Sequence, residues 1–278
     1  MIEVNLVRDA PLAHLRWGNG EAVVVLLHGV GGGREAWGDS FSGTGRALAE
    51  AGFTAIAVDL PGYGDSPSIE PYNMAGLADS VLTLIGHLRP ARCALVGHSM
   101  GGMVAQELMA RASGRVPALV QALVLSGTSP AFGKAGGAWQ AEFLAQRLAP
   151  LDAGRGMAAL APGLALGMAS PTASHDAVAR AAVLMSAVPE ATYRRALKAI
   201  VGFDRRELLR DLRLPVLCLA GEHDRNAPPA VLQQMAERIA DAEYVCLPAV
   251  GHLANMEAPV PVHRALLDFL TRRFPARA

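Results

Sequence analysis

Residues 92–104, Arg-Cys-Ala-Leu-Val-Gly-His-Ser-Met-Gly-Gly-Met-Val, decide the fold of this chain. The apolar run 94–96 stops at Gly97, Ser99 follows shortly after, and a helical pattern begins just beyond. A serine at the apex of so sharp a strand–turn–helix needs glycine two positions before and after it, because strand and helix must approach each other closely. Gly97 and Gly101 meet that requirement. The stretch predicts a strained turn that presents a serine hydroxyl, although a glycine-rich turn with an ordinary serine has the same pattern.

Composition places the chain among well-packed globular proteins. Of its 278 residues, 51% are hydrophobic and 18% are charged, so a large core is easily filled and extensive disorder is not expected. The 25 basic and 25 acidic residues give a formal net charge of zero, without a basic stripe that carries interleaved aromatic residues. We therefore expect no nucleic-acid partner, and a protein that is a monomer or a homodimer.

The cysteines and the N-terminal sequence bear on the compartment. Cys93, Cys218 and Cys246 each lie in or beside an apolar, strand-like run, and no two have the spacing of metal ligands. An odd number argues against a disulfide framework, so we expect three buried thiols in a reducing compartment. The first residues alternate as in a strand rather than forming a signal peptide, and no uncharged run reaches the ~18 residues that span a bilayer. These features predict a cytoplasmic protein without a membrane partner.

Buried strands alternate with helical segments over most of the chain. Eight strands are predicted, at residues 2–7, 12–17, 22–27, 54–58, 94–96, 122–126, 216–220 and 244–247. Continuous apolar runs are typical of strands covered on both faces, and their alternation with helices is typical of a parallel sheet. The predicted fold class is α/β, with a mostly parallel eight-stranded sheet flanked by helices.

The alternation stops after the sixth predicted strand. Residues 128–206 contain helical segments rich in Ala, Leu and Met, interrupted by prolines, and no strand-like run. Open α/β sheets carry their sites at the carboxyl ends of the strands, so we interpret this insertion as a cap over that edge rather than as a bulge elsewhere. The predicted division is a core domain of residues 1–127 and 207–278 and a helical cap of residues 128–206.

Three side chains with complementary chemistry follow the ends of three predicted strands. Ser99, Asp224 and His252 would meet at one edge of a parallel sheet. A serine hydroxyl becomes an effective nucleophile when an imidazole takes its proton, so His252 is the predicted general base. Asp224 is the predicted carboxylate that holds the tautomer of that imidazole. Glu222 is the alternative acid, because an offset of two residues at a strand end points the same way.

Further histidines near this edge leave two other interpretations. We expect His28 and His98 to support the site through hydrogen bonds rather than to act as the base. His223, Asp224 and His252 could be imagined as metal ligands, but the chain has neither an H-x-H nor an H-E-x-x-H spacing. We therefore expect no metal and no cofactor.

A glycine-rich loop, residues 28–33, follows the predicted strand at 22–27. It lacks both the Gly-Lys-Ser/Thr of a phosphate loop and a clean dinucleotide-binding spacing. We interpret it as a loop whose backbone passes close to a reacting oxygen. The N–H groups of Val30 and of Met100 are the predicted donors to an oxyanion. Asp59, beside a tight Pro-Gly turn, is interpreted as fixing that turn rather than as catalytic.

Five short motifs then occur in order, at residues 26–29 (LLHG), 59–66 (DLPGYGDS), 96–102 (VGHSMGG), 221–224 (GEHD) and 251–252 (GH). In this combination the chain resembles the α/β-hydrolase superfamily from end to end, and within it the small bacterial enzymes related to 3-oxoadipate enol-lactonase. The order serine, aspartate, histidine is that of the superfamily's triads. The resemblance implies the α/β-hydrolase fold, a helical lid, an ester or lactone substrate, water as the second nucleophile and no cofactor.

Two positions separate the chain from neighbouring families. Ser99 stands where haloalkane dehalogenases and epoxide hydrolases carry aspartate, and His98 stands where carbon–carbon bond hydrolases of ring-cleavage pathways usually carry asparagine. The expected function is that of a serine hydrolase that cleaves a small carboxylic ester or lactone through an acyl-enzyme. The alternatives are a carbon–carbon bond hydrolase, perhydrolase or cofactor-free oxygenase on the same scaffold, or a small-molecule receptor that retains the triad.

The predicted cap would select the substrate. Trp139, Arg147, Arg194 and Arg195 are the candidate substrate contacts. A cap arginine that faces the serine would pair with the carboxylate of an anionic lactone, whereas solvent-facing helix charges are the alternative. The many Ala, Leu and Met residues of the cap would equally suit an apolar acyl chain.

Overall fold

A computed structural model describes residues 2–111, 119–133 and 137–276 of the chain. The predicted core ranges also include Met1, 112–118 and 277–278, and the predicted cap range includes 134–136, which lie outside the described residues. Within the described ranges, no helix is both long and apolar enough to cross a membrane.

Eight strands of the described chain form one sheet. They are β1 (Val4–Val7), β2 (His14–Trp17), β3 (Ala22–Leu27), β4 (Thr54–Val58), β5 (Arg92–His98), β6 (Ala122–Ser126), β7 (Val216–Gly221) and β8 (Ala242–Leu247). Their order is β1-β2-β4-β3-β5-β6-β7-β8; β2 pairs antiparallel with β1 and β4, and the other neighbouring pairs of these strands are parallel. The predicted α/β class with a mostly parallel eight-stranded sheet is confirmed.

Helices cover both faces of the sheet. They are α1 (Thr44–Glu50), α2 (Met74–Leu88), α3 (Met100–Arg111), α4 (Ala138–Asp152), α5 (Met157–Met168), α6 (His175–Ser186), α7 (Glu190–Val201), α8 (Pro229–Arg238), α9 (Ala254–Glu257) and α10 (Pro259–Arg273). Leu48 of α1 and Phe269 of α10 belong to the apolar cluster on one face. Leu77 of α2, Val104 of α3 and Leu232 of α8 belong to the cluster on the other. The sheet is thus buried between two helical layers, as its apolar strands require.

Helices α4–α7 occupy the connection between β6 and β7, and we call them the helical insertion. Within it α5 packs against α6, and α4 packs against α7. The insertion also contacts the rest of the fold, since the hydroxyl of Thr192 on α7 donates to the carbonyl oxygen of Gly62 at 2.8 Å. Its place after the sixth strand agrees with the sequence, whereas the division into a core domain and a cap domain stays a prediction.

The strand register brings the carboxyl ends of β3 and β5–β8 to one edge of the sheet. Gly97 near the end of β5 lies opposite Leu27 of β3 and Leu125 of β6. Gly221 at the end of β7 lies opposite Leu247 of β8. The loops that follow these parallel strands therefore meet over one edge, where open α/β sheets carry their sites.

The three cysteines are not all buried. Cys93 and Cys218 are completely buried in the central sheet, and this burial raises the pKa of each thiol to about 12. Cys246 is exposed, so its predicted burial is wrong. It lies on β8, one of the two edge strands of the described sheet, which pairs there with β7.

Candidate active site

Ser99 lies at the turn between β5 and α3. Its φ of +54° falls in the left-handed region that few residues other than glycine adopt. The hydroxyl of Thr128 donates to the carbonyl oxygen of Ser99 at 2.8 Å and holds the turn. A Cβ on Gly97 would lie 2.5 Å from the carbonyl oxygen of Gly101, and a Cβ on Gly101 would collide with the carbonyl oxygen of Leu27. The predicted need for glycine at both flanking positions is confirmed.

The side chains of Ser99, His252 and Asp224 form one hydrogen-bonded chain. His252 Nε2 lies 3.0 Å from Ser99 Oγ, and His252 Nδ1 lies 2.8 Å from Asp224 Oδ2. Asp224 Oδ1 accepts the backbone N–H groups of Asn226 and Ala227 at 2.8 and 2.9 Å. Burial raises the pKa of the Asp224 carboxyl, but nearby His252 and these hydrogen bonds outweigh burial, so the pKa lies below its usual value. An ionised Asp224 favours a proton on His252 Nδ1, which leaves Nε2 free to accept the hydroxyl proton.

His98 holds the backbone of His252. Because the acceptor is a carbonyl oxygen, His98 Nε2 carries a proton and donates it to the main chain of His252 at 2.8 Å. Burial, together with the neighbouring His252, lowers the pKa of His98 to about 4. His98 is therefore neutral near pH 7, and its predicted supporting role through a hydrogen bond is confirmed.

His28 fixes the orientation of the Gly29–Val30 peptide. His28 Nε2 accepts the backbone N–H of Leu60 at 3.0 Å, so the ring proton lies on Nδ1, which donates to the Gly29 carbonyl oxygen at 2.8 Å. The backbone N–H of Gly32 donates to the same oxygen at 3.0 Å. Since a trans peptide places N–H opposite C=O, the N–H of Val30 points away from these donors.

The Ser99–Met100 peptide is held in the same manner. The carbonyl oxygen of Ser99 accepts the N–H of Gly102 at 2.9 Å as well as the Thr128 hydroxyl. The N–H of Met100 therefore points to the opposite side. Val30 and Met100, whose N–H groups the sequence singled out, both line one cavity.

That cavity, of about 290 Å³, opens beside Ser99 between the carboxyl edge of the sheet and the helical insertion. Trp139 and Arg147 of α4, two of the four predicted substrate contacts, line it. The Arg147 guanidinium lies 5.5 Å from the centre of the Phe143 ring. Sequence reasoning missed Arg225, which also lines the cavity, although its place directly after a predicted catalytic aspartate was a usable signal. The described lining residues include these two arginines and no carboxylate.

The structure does not bring the other two predicted contacts to the cavity. Arg194 pairs with Asp152 at 2.5 Å and with Glu190 at 2.8 Å, and Arg195 pairs with Glu70 at 2.6 Å. The carboxylates that pair with the two guanidinium groups do not line the cavity either. Arg194 and Arg195 therefore form ion pairs and are not substrate contacts in this structure.

The other two acidic residues considered from the sequence, Glu222 and Asp59, accept hydrogen bonds from backbone N–H groups. Glu222, the alternative to Asp224, accepts the N–H of Ala249 at 2.8 Å rather than contacting the imidazole. Asp59 accepts the N–H groups of Arg34 and Asp65 at 2.8 and 3.2 Å, so its interpretation as a turn-fixing residue is confirmed. Within residues 2–111, 119–133 and 137–276, no group of three His, Cys, Asp or Glu side chains could hold a metal ion.

Comparison with known proteins gives the family. The family model described as the alpha/beta hydrolase fold matches residues 22–259. The chain belongs to the α/β-hydrolase fold family. Its predicted resemblance to that superfamily is confirmed.

Individual relatives of this α/β-hydrolase carry hydrolase names. "Putative carbamate hydrolase RutD" of Variovorax paradoxus is 32% identical over 91% of this chain and 93% of the relative. The pimeloyl-[acyl-carrier protein] methyl ester esterase of Nitrosospira multiformis is 28% identical over 85% of this chain and 89% of the relative. The crystal structure of the enol-lactonase from Burkholderia xenovorans LB400 has a TM-score of 0.79 and 24% identity, covering 96% of this chain and all of that one, and thus shares the fold.

Proposed function

We propose that this α/β-hydrolase is a serine hydrolase that cleaves a small carboxylic ester or lactone. The observation that carries the proposal is the hydrogen-bonded chain from Ser99 through His252 to Asp224 at the wall of a cavity. The strained φ of Ser99 supports it, because strain of this kind persists where the surrounding structure holds a functional group in place. Relatives named as an ester and a carbamate hydrolase support the same class of reaction.

In the proposed reaction Ser99 is the nucleophile. As Oγ attacks the acyl carbon, His252 Nε2 takes the hydroxyl proton, and the Asp224 carboxylate stabilises the imidazolium. The imidazolium then protonates the leaving oxygen, which is that of the alcohol in an ester or of the ring in a lactone, and an acyl-enzyme remains. Water that is deprotonated by His252 attacks this acyl-enzyme and releases the acid and free Ser99.

The N–H groups of Val30 and Met100 are the proposed oxyanion donors. Their peptides are fixed through the opposite carbonyl groups before any substrate binds, so little reorganisation accompanies the attack. Loss of one such donor typically lowers kcat by about 10²–10³. A neutral His28 maintains this arrangement, since a protonated ring would direct a second N–H against that of Leu60.

The cavity favours a small substrate that carries an acidic group. Its volume of about 290 Å³ lies at the small end of ligand pockets, and therefore suits a short acyl chain or a lactone. Arg147 and Arg225 offer positive charge, and the described lining offers no opposing carboxylate. A substrate carboxylate would gain a charge-assisted hydrogen bond from Arg147. Trp139 and Arg147 are accordingly the proposed substrate contacts.

Hydrolysis of p-nitrophenyl esters from acetate to dodecanoate, with an enol-lactone alongside, tests the proposal. We expect turnover of short esters or of the lactone by the wild type, and a loss of at least about 10⁴-fold in Ser99→Ala. Ser129→Ala is the matched control, because this second cavity serine donates to the carbonyl oxygen of Ala131 at 2.8 Å. Absence of turnover across the panel, or undiminished turnover by Ser99→Ala, contradicts the proposal.

A further inference from the structure

A carboxylate outside the cavity binds three backbone N–H groups around His252. Glu257 Oε2 accepts the N–H of Gly251 at 3.0 Å and that of Ser170 at 2.9 Å. Glu257 Oε1 accepts the N–H of Leu253 at 3.0 Å. Gly251 and Leu253 directly precede and follow His252, whereas Ser170 belongs to the segment after α5 in the helical insertion. One side chain thus joins residues 248–253, the loop that carries His252 and that we call the histidine loop, to the helical insertion.

The backbone of His252 makes its own contact with the insertion. Its N–H donates to the carbonyl oxygen of Met168, the last residue of α5, at 2.9 Å. Close by, the hydroxyl of Thr172 donates to the carbonyl oxygen of Ala249 at 3.0 Å. A Cβ on Gly251 would collide with the segment after α5, so glycine permits the two backbones to touch. The main chain around His252 is therefore in direct contact with the helical insertion and hydrogen-bonded to it.

We infer that Glu257 is a positioning residue for His252, and that it makes the position of the imidazole relative to Ser99 depend on the helical insertion. This inference rests on the proposed function, in which His252 is the base. An ionised carboxylate is the side chain that can accept on both sides at once, because each oxygen carries more than one lone pair and neither carries a proton.

A glutamine at this position could satisfy one side alone. Its amide oxygen could accept from the Ser170 and Gly251 pair or from Leu253, and its NH₂ group would face the remaining N–H as a second donor. The histidine loop or the end of α5 would then shift. A displacement of about 1 Å between reacting groups lowers the rate about 10²-fold. Since Glu257 does not line the cavity, substrate binding should be less affected than turnover.

Glu257→Gln tests the inference on the p-nitrophenyl ester that the wild type turns over best. We expect kcat to fall about tenfold to a hundredfold while KM stays within about threefold. Glu222→Gln is the matched control: Glu222, in the loop after β7, accepts one N–H, that of Ala249 in the loop after β8, and an amide oxygen can still accept it. That variant should retain wild-type kcat. Hydrogen exchange of the Ser170, Gly251 and Leu253 amides should accelerate in Glu257→Gln.

The outcomes separate this inference from the proposed function. A wild type that neither hydrolyses esters nor reacts with a fluorophosphonate at Ser99 contradicts the proposed function. An active wild type with Glu257→Gln at the same kcat, or with kcat and KM changed in equal proportion, contradicts the positioning role alone. Glu257→Asp covers the case in which the glutamine variant does not fold: it keeps the charge but is one methylene shorter, so kcat should fall less, and an unchanged kcat would also overturn the inference.

Discussion

Asp224→Asn replaces one carboxylate oxygen with an NH₂ group and leaves the shape of the side chain unchanged. The N–H groups of Asn226 and Ala227 face Oδ1 at 2.8 and 2.9 Å, so the amide oxygen must keep that place. The NH₂ group then occupies the Oδ2 position, 2.8 Å from His252 Nδ1, and acts as a donor there. The imidazole can accept this bond only by moving its proton to Nε2, the atom that must accept the proton of Ser99.

The expected loss follows from this forced change of tautomer. A wrong tautomer of the base in a serine triad lowers kcat by about 10⁴, which corresponds to about 5.5 kcal/mol of transition-state stabilisation. Asp224 does not line the cavity, so KM should change little. The variant should also remain folded, because both backbone N–H groups keep an acceptor.

Steady-state hydrolysis of the best p-nitrophenyl ester measures this effect, and circular dichroism of the variant checks the fold. Glu222→Gln, two residues earlier on the same loop, controls for the loss of a negative charge near the strand end. A folded Asp224→Asn variant with a loss of less than about tenfold would refute the reasoning, because His252 would then work without the tautomer that Asp224 imposes.

Three further outcomes are expected. Gly101→Ala should lower the free energy of unfolding, measured in urea, by about 1–3 kcal/mol, because the new Cβ collides with the carbonyl oxygen of Leu27. Gly86→Ala on α2, where the new Cβ has open space around it, should raise that free energy by about 0.5–1 kcal/mol. Equal effects of the two substitutions contradict the steric argument. The pKa of His98 is near its ordinary value of 6.5 in the unfolded chain and about 4 in the folded chain, so the free energy of unfolding should fall, by up to about 3 kcal/mol, as the pH drops through that window. In urea titrations at a series of pH values, His98→Gln should lose that part of the pH dependence. Arg147→Ala should lower kcat/KM about tenfold to a hundredfold for a p-nitrophenyl ester with a free carboxylate, and should change kcat/KM little for p-nitrophenyl butyrate. The surface variant Arg194→Ala should have the kcat/KM of the wild type for both esters.

Where burial on both faces sets the pattern, the sequence predicts the strands closely. β3 (Ala22–Leu27), β4 (Thr54–Val58) and β6 (Ala122–Ser126) have the predicted bounds, because each is an apolar run apart from the terminal Thr54 of β4 and Ser126 of β6. β5 is longer than its apolar run, and α3 begins at Met100 rather than at the first apolar residue after the glycines. The geometry of the turn, rather than helix propensity, starts that helix.

Contacts between distant backbones leave no local signature. Ser170 and Glu257 are separated by 87 positions, and nothing in the spacing of either residue indicates that a main-chain N–H of one meets the carboxylate of the other. The proton positions on His28 and His98 are equally hidden, because each follows from an acceptor or donor that another part of the chain supplies. The Ser99, Asp224 and His252 side chains were predictable because strand ends in a parallel sheet converge whatever the loops do.

Which arginines of the helical insertion face the cavity was predictable only in part from the sequence. Trp139, Phe143 and Arg147 are spaced four residues apart on α4, so they form one row along the helix and all line the cavity. Tyr193 is on the equivalent cavity-lining row of α7, and the next residue, Arg194, is turned about 100° away from it. Helical spacing together with one condition, that the aromatic row of each helix faces the cavity, would therefore have predicted Arg147 and not Arg194 as a cavity residue. The condition is physical, because an aromatic side chain gains more from covering an apolar cavity than from facing water.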